Sequence, residues 1–214
     1  MPLFFSIVVS MLLLAGPPAH AQEQSRGAAV DALAGADVEA RRNAATRLGE
    51  VGVMADVAPL VRALRDVDKD TRDNAEQALW RIWARSGDAA VDRLYAKGVE
   101  EMAAGELQQA IATFTRVIGL APDFAEGWNK RATLHFLVGD LRKSLADCDE
   151  VIKRNPNHFG ALAGYAQIYV RLEYYDRALA YSRRALEVNP NMEGVRRSIV
   201  VLEHILEERR KRMI

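Results

Sequence analysis

The chain has 214 residues, half of them apolar, and carries 29 Lys plus Arg against 29 Asp plus Glu. A balanced charge supplies no overall field to gather nucleic acid or an anionic membrane, and a single cysteine, Cys148, excludes an internal disulfide framework. Stability must therefore come from packing, and the length allows one or two compact units.

Taken in order, residues 1–21 differ from the rest. Leu3 to Ala15 is almost continuously apolar, Gly16-Pro17-Pro18 breaks the run, and Ala19-His20-Ala21 offers the small-x-small pattern of a signal-peptidase site. The segment reads as an export signal cut before Gln22, which places the mature chain in the periplasm or outside the cell. The alternative is an uncleaved inner-membrane anchor, although the run is short of the roughly 20 residues that a bilayer span needs.

Residues 22–87 repeat at an interval of 31: Asp37, Arg41, Asn43, Ala44 and Leu48 return as Asp68, Arg72, Asn74, Ala75 and Leu79. In each copy the Asp stands where it can cap a helix, with Arg four residues on and an Ala/Leu inner face behind it. Between the copies Val57, Leu60, Val61 and Leu64 recur at helical spacing, and Pro59 is tolerated only in the first turn. Trp80 and Trp83 replace Gly49 and Gly52 of the earlier copy and are expected to pack the junction with the next array. The pattern resembles the short HEAT-like repeats also found in phycobilisome lyases. With barely two copies, this segment is expected to pack on the next array as its N-terminal extension.

From residue 88 the interval changes to 34. Pro122, Pro156 and Pro190 keep that spacing, as do the small residues Gly98, Ala132 and Ala166 and, further on, Ala110, Ser144 and Ala178. Small residues permit close helix approach, and each proline ends a helix and sets a turn. Gly105 and Gly139-Asp140 supply the inner turns of two units; Leu172-Glu173 must do so in the third. Three units, about 91–124, 125–158 and 159–192 within 88–192, resemble tetratricopeptide repeats. A last amphipathic run, Val195, Ile199, Leu202, Ile205 and Leu206 within 193–214, reads as a capping helix ending in the basic tail Arg209-Arg210-Lys211-Arg212. The expected fold class is all-α: a right-handed α-solenoid of helix-turn-helix repeats, a HEAT-like pair followed by three tetratricopeptide units and a cap.

The resemblance implies a concave face lined by the first helix of each unit. It places Tyr95, Val99, Glu126, Asn129, Thr133, Phe136, Gln167, Val170 and Arg171 in a groove for a protein or peptide partner. The two-carboxylate clamp of chaperone-binding relatives uses Lys, Asn, Asn, Lys and Arg. The matching positions here are Tyr95, Val99, Lys130, Gly160 and Gly164, so that clamp is absent. An extended segment or a helix suits the groove better.

Chemistry finds little support. His135, His158 and His204 form no metal-binding pair, Cys148 sits at a core position, and no phosphate loop or nucleophile elbow is present. No catalytic residue, metal or cofactor is expected. Asp147, Asp149 and Glu150 read as a solvated acidic cluster, and the basic tail reads as favourable charge at a helix C-terminus, with contact to an anionic lipid or an acidic partner as its alternative. The leading reading is a non-catalytic scaffold or adaptor of the bacterial envelope. A periplasmic assembly chaperone, for example of apocytochromes or envelope complexes, is the alternative, and a lyase-type enzyme ranks last.

Overall fold

The computed structural model describes residues 19–212 as eleven α-helices and one 3-10 turn, with no strand among them. Most of the expected export signal, residues 1–18, lies outside the described residues. The first helix, α1 (Ala19–Leu33), spans the expected cleavage point before Gln22.

The 31-residue repeat is a physical one. α1 packs on α2 (Val38–Val51), and after a 3-10 turn at Met54–Asp56, α3 (Val57–Ala63) packs on α4 (Lys69–Trp83); α2 and α4 then lie against each other. Asp37 accepts from the Ala40 N–H and Asp68 from the Thr71 N–H, as caps should. Each repeat arginine turns back onto the carbonyls before its own helix. Arg41 donates to Gly35 and Ala36, and Arg72 to Asp66 and Val67, the same contacts displaced by one repeat. Arg41 also grips Asp66 through two bonds of 2.7 and 3.1 Å, tying the first copy to the second. At Gly49 an added Cβ would meet the Ala78 Cα at 3.2 Å, so glycine there lets α4 close onto α2.

The 34-residue units are helix pairs: α5 (Ala89–Ala103) with α6 (Leu107–Leu120), α7 (Ala125–Leu137) with α8 (Leu141–Arg154), and α9 (Phe159–Arg171) with α10 (Tyr175–Val188). Each second helix ends two residues before its proline, and α6 and α8 pack on the first helix of the next unit. The small positions act as expected. Gly98 lies under the Phe114 ring, where an added Cβ would come within 2.8 Å, and the Ser144 hydroxyl donates to the Ala132 carbonyl at 2.7 Å. α11 (Glu193–Arg212) continues the register and packs on α10.

The turn without glycine forms with strain. Glu173 adopts φ +62°, the left-handed conformation that Gly105 and Gly139 occupy in the same place of the two earlier units at +78° and +83°. A left-handed residue with a Cβ costs about 1 kcal/mol or more relative to glycine. Glu173→Gly is therefore expected to raise stability by about 1 kcal/mol, less the small contribution of the exposed Glu173–Arg209 pair at 3.2 Å. A higher urea midpoint with unchanged slope is the readout; an unchanged or lower midpoint would contradict it.

The N-terminal unit does not extend the array from its first repeat. Trp80 and Trp83 do pack a junction, but with His158 and Phe159, where the second unit passes into the third. Trp83 stacks on the His158 ring at 4.5 Å, and both tryptophans contact Phe159, at 5.1 and 5.0 Å between centroids. Phe159 thus belongs to the core of the N-terminal unit, with Val188 and Met192 against it. Polar contacts complete the seam. Arg65 donates to the carbonyls of Glu187 and Val188, Asn191 to that of Leu64 at 2.8 Å, and Asn189 to Glu76 at 3.0 Å. The physical reason is shape: Gly160 leaves a hole at the start of α9, and the Trp80 ring fills it so closely that an added Cβ would stand 2.5 Å from Cη2.

Candidate functional site

The nine residues expected to line the groove separate into two groups. Tyr95, at the middle of α5, and Glu126 and Asn129, in the first half of α7, are enclosed, at 9%, 2% and 9% exposure. Their side chains are engaged with each other and with His158. Glu126 accepts from His158 Nε2 at 2.8 Å, from Asn129 at 3.1 and 3.2 Å and from Lys130 at 3.1 Å, with the Tyr95 hydroxyl at 3.5 Å. The Ala161 N–H donates to His158 Nδ1, capping α9 and leaving Nε2 as the protonated nitrogen that faces the carboxylate. Trp83 lies over this imidazole from the other side.

Burial alone would push the Glu126 carboxyl up, but the donors from His158 and Lys130 outweigh it and hold the group below its ordinary value. Burial beside that carboxylate pushes the Tyr95 hydroxyl up, so it remains a neutral donor. A carboxylate paired with an imidazole is the raw material of general-base chemistry. Here the His158 side chain is fully buried and Glu126 is 2% exposed, so neither reaches a substrate and the pair serves as structure.

The second group remains open. Val99, Thr133 and Gln167 succeed one another at intervals of 34 along α5, α7 and α9 and are exposed, with Val201 of α11 next in register. Beside them lie half-buried Phe136 and the exposed Leu137, Val170 and Arg171. Arg171 is fixed in place: its guanidinium sits 4.9 Å above the Phe136 ring and donates to the Phe136 carbonyl at 3.0 Å. A cavity of about 50 Å³ separates α7 from α9, walled by Asn129, Thr133, Phe136, Gly164 and Gln167. It is followed by one of about 340 Å³ between α9 and α11, walled by Ala163, Gln167, Val170, Ser198 and Leu202. The open surface is therefore apolar, with amide and hydroxyl groups at regular intervals and one cation.

Of the other residues weighed for chemistry, His135 is buried beside Asp147, and burial lowers its basicity. Cys148 is buried with its thiol pushed up to about 12 by burial and by the neighbouring Asp147 and Asp149 carboxylates, which suits a packing role. The acidic cluster on α8 is not solvated as a whole. Asp147 is buried and takes two bonds from Arg131 of α7, at 2.7 and 2.8 Å, while Asp149 accepts from the Tyr165 hydroxyl and Glu150 from Arg154. Each carboxylate has its own cation or donor, reached from a different helix or turn. Among the described residues no group of three or more His, Cys, Asp or Glu is placed to hold a metal, and no helix is long and apolar enough to cross a membrane.

Comparison with known proteins agrees with this geometry. Residues 160–192 match the tetratricopeptide repeat family. A tetratricopeptide-repeat-containing protein of Rhizobium etli is 34% identical over 129 residues, 59% of this chain and 62% of that relative's length. Among solved structures, the first repeat domain of Spaghetti bound to the HSP90 peptide SRMEEVD superposes with a TM-score of 0.53 at 20% identity, over 55% of this chain and 93% of that one. The Sgt2 repeat domain from Aspergillus fumigatus superposes with a TM-score of 0.55 at 20% identity, over 58% and 83%. The fold is that of a tetratricopeptide-repeat solenoid.

Proposed function

We propose that this chain is a non-catalytic interaction scaffold or adaptor of the bacterial envelope, which holds a segment of a partner protein along the open half of its concave face. The observation that carries the reading is the run Val99, Thr133, Gln167 with Phe136, Leu137, Val170 and Arg171 beside it: an uncovered strip on successive helices, adjoining a cavity of about 340 Å³. Apolar side chains of a partner suit Leu137, Val170 and the cavity; the Gln167 amide suits its backbone groups, and the Thr133 hydroxyl, which donates to the Asn129 carbonyl at 3.0 Å, offers them an acceptor. The peptide in the Spaghetti structure lends support for peptide binding on this fold. An acidic C-terminus is a poor match, because the clamp positions hold Gly160 and Gly164 and Trp80 fills the space beside the first.

In this reading residues 1–21 direct export, residues 22–87 form a HEAT-like pair, and that pair fixes the shape of the repeat array instead of catalysing a reaction. The test is a pair of substitutions on the open strip, Gln167→Ala and Val170→Asp, in chains whose helicity and unfolding midpoint are unchanged. Contacts of this kind contribute about 1–2 kcal/mol each at the centre of an interface, so partner binding in cells should weaken by roughly tenfold or more. Undiminished binding by both variants would sink the proposal.

A further inference from the structure

α11 is built unlike the helices it succeeds. α7 and α9 have 13 residues each, whereas α11 has 20 and runs past the Tyr175 end of α10. Gly98, Ala132 and Ala166 are each covered by the second helix of their own unit; at the next interval of 34 stands Val200, 64% exposed, with Val201 at 57%. Beside Val200 a trough of about 1490 Å³ lies between α10 and α11, with Tyr175, Leu179 and Arg183 on one wall and Val200, His204 and Glu207 on the other. By register this is where the second helix of a fourth unit would lie, antiparallel to α11. Among the described residues no helix fills it; side chains alone reach across, in the Arg183–Glu203 pair at 2.7 Å and in the Arg209 guanidinium 4.3 Å from the Tyr175 ring centroid.

Three acid–base pairs on the uncovered face of α11 are arranged symmetrically in sequence about position 202, while Glu203 and Arg210, which also line the trough, mirror Val201 and Gly194. Glu193 and Lys211 are equidistant from position 202, as are Arg197 and Glu207, Arg196 and Glu208, and Val200 and His204. Two such helices laid antiparallel would set acid against base in every outer pair and valine against imidazole at the centre. A parallel arrangement would instead oppose Arg197 to Arg197 and Glu207 to Glu207. A two-fold axis perpendicular to the helices generates such an antiparallel pair, and it requires a surface that complements itself. Among the described residues these charges pair locally and in the open, Arg196 with Glu193 at 3.2 Å and Lys211 with Glu207 and Glu208 at 3.0 and 3.1 Å, pairs that stabilise the monomer little and are readily exchanged, although Arg196 also donates to the Pro190 carbonyl at 2.6 Å.

We infer that the uncovered face of α11 binds the α11 of a second copy of this chain, the two helices antiparallel about a two-fold axis that passes between Val200 and His204 and each lying in the other's trough. A single helix-on-helix contact is small, so the dimer forms in the micromolar range and weakens with salt. The cavity between α9 and α11 is left free, because Ser198 and Leu202, which wall it, face away from the trough side of α11 that Val200 and His204 line.

Sedimentation of the purified full chain across the micromolar range tests this. The expected result is a concentration-dependent dimer that Arg197→Glu and Glu207→Lys each weaken by roughly tenfold, and that the chain carrying both changes restores, since the reversed charges again face opposite partners. Both positions are exposed, so the variants fold. A monomer throughout would overturn the inference, as would a dimer indifferent to these charges or one that the combined change fails to restore. Sedimentation of a strictly monomeric chain with phosphatidylglycerol vesicles would overturn it too and would assign the face to a lipid surface.

Discussion

Replacing Trp83 by alanine is expected to destabilise the protein by about 3–5 kcal/mol, the range for removing a fully packed large aromatic side chain. Trp83 is 3% exposed, stacks on His158 and packs against Phe159, so its removal opens a cavity where the N-terminal unit meets the third repeat. That loss is a large part of the roughly 5–15 kcal/mol typical of whole domains. It should therefore show as a marked drop in urea midpoint and as a separate, earlier transition for α1 to α4. Trp83→Phe, which keeps an aromatic ring in the space, should lose less than half as much. A Trp83→Ala chain that unfolded in one step at the original midpoint would show that the seam does not hold the two parts together.

The second large effect is expected at His158. His158→Ala removes the hydrogen bond to a carboxylate that is 2% exposed and also the cap of α9, and breaking a buried pair from one side costs about 3–5 kcal/mol. The pH dependence should change sign with it. In the native chain the Glu126 carboxyl is held below its ordinary value, so its contribution to stability is present above the ordinary carboxylate range and is lost as the pH falls through the lowered value. Without the imidazole, burial dominates and raises the group, so the variant should lose stability as the pH rises through the raised value. The double change Glu126→Leu with His158→Leu leaves no unpaired charge and is expected to be less damaging than His158→Ala alone. Urea unfolding of the three chains between about pH 4 and 8, which spans the carboxylate and imidazole ranges, separates these outcomes; parallel pH profiles for the native and His158→Ala chains would contradict the assignment.

What could be read from the sequence was local and periodic. The prolines at 122, 156 and 190 and the small residues between them announced the helix pairs, and Asp37 and Asp68 announced two helix starts, because caps and breakers act within a few residues of themselves. Leu172-Glu173 could be named as a turn but not its strain, since φ +62° is imposed by the repeat geometry and not by the residue. The fold-back of the N-terminal unit was not legible. It depends on Trp80 fitting the space over Gly160 and on bonds between residues 113 to 127 apart, for which sequence spacing gives no signal.

The same long-range contact explains the division of the groove. Repeat register alone assigned Tyr95, Glu126 and Asn129 to the concave face, and it could not show that His158, held under Trp83, would draw Glu126 into a closed network. Arg131 was the available clue to the acidic cluster: it stands 16 residues before Asp147, on the facing helix of the same unit, where a two-bond pair could form. Register thus names which face a side chain starts from, and the partners it meets decide whether it stays accessible.

A photoreactive residue placed in living cells at Gln167, on the open strip, and separately at Asn129, in the closed network, tests the division most directly. A discrete adduct with a partner protein is expected from Gln167, and from Asn129 only crosslinks within the chain. Equal partner adducts from both positions, or a partner adduct from Asn129 alone, would contradict that division.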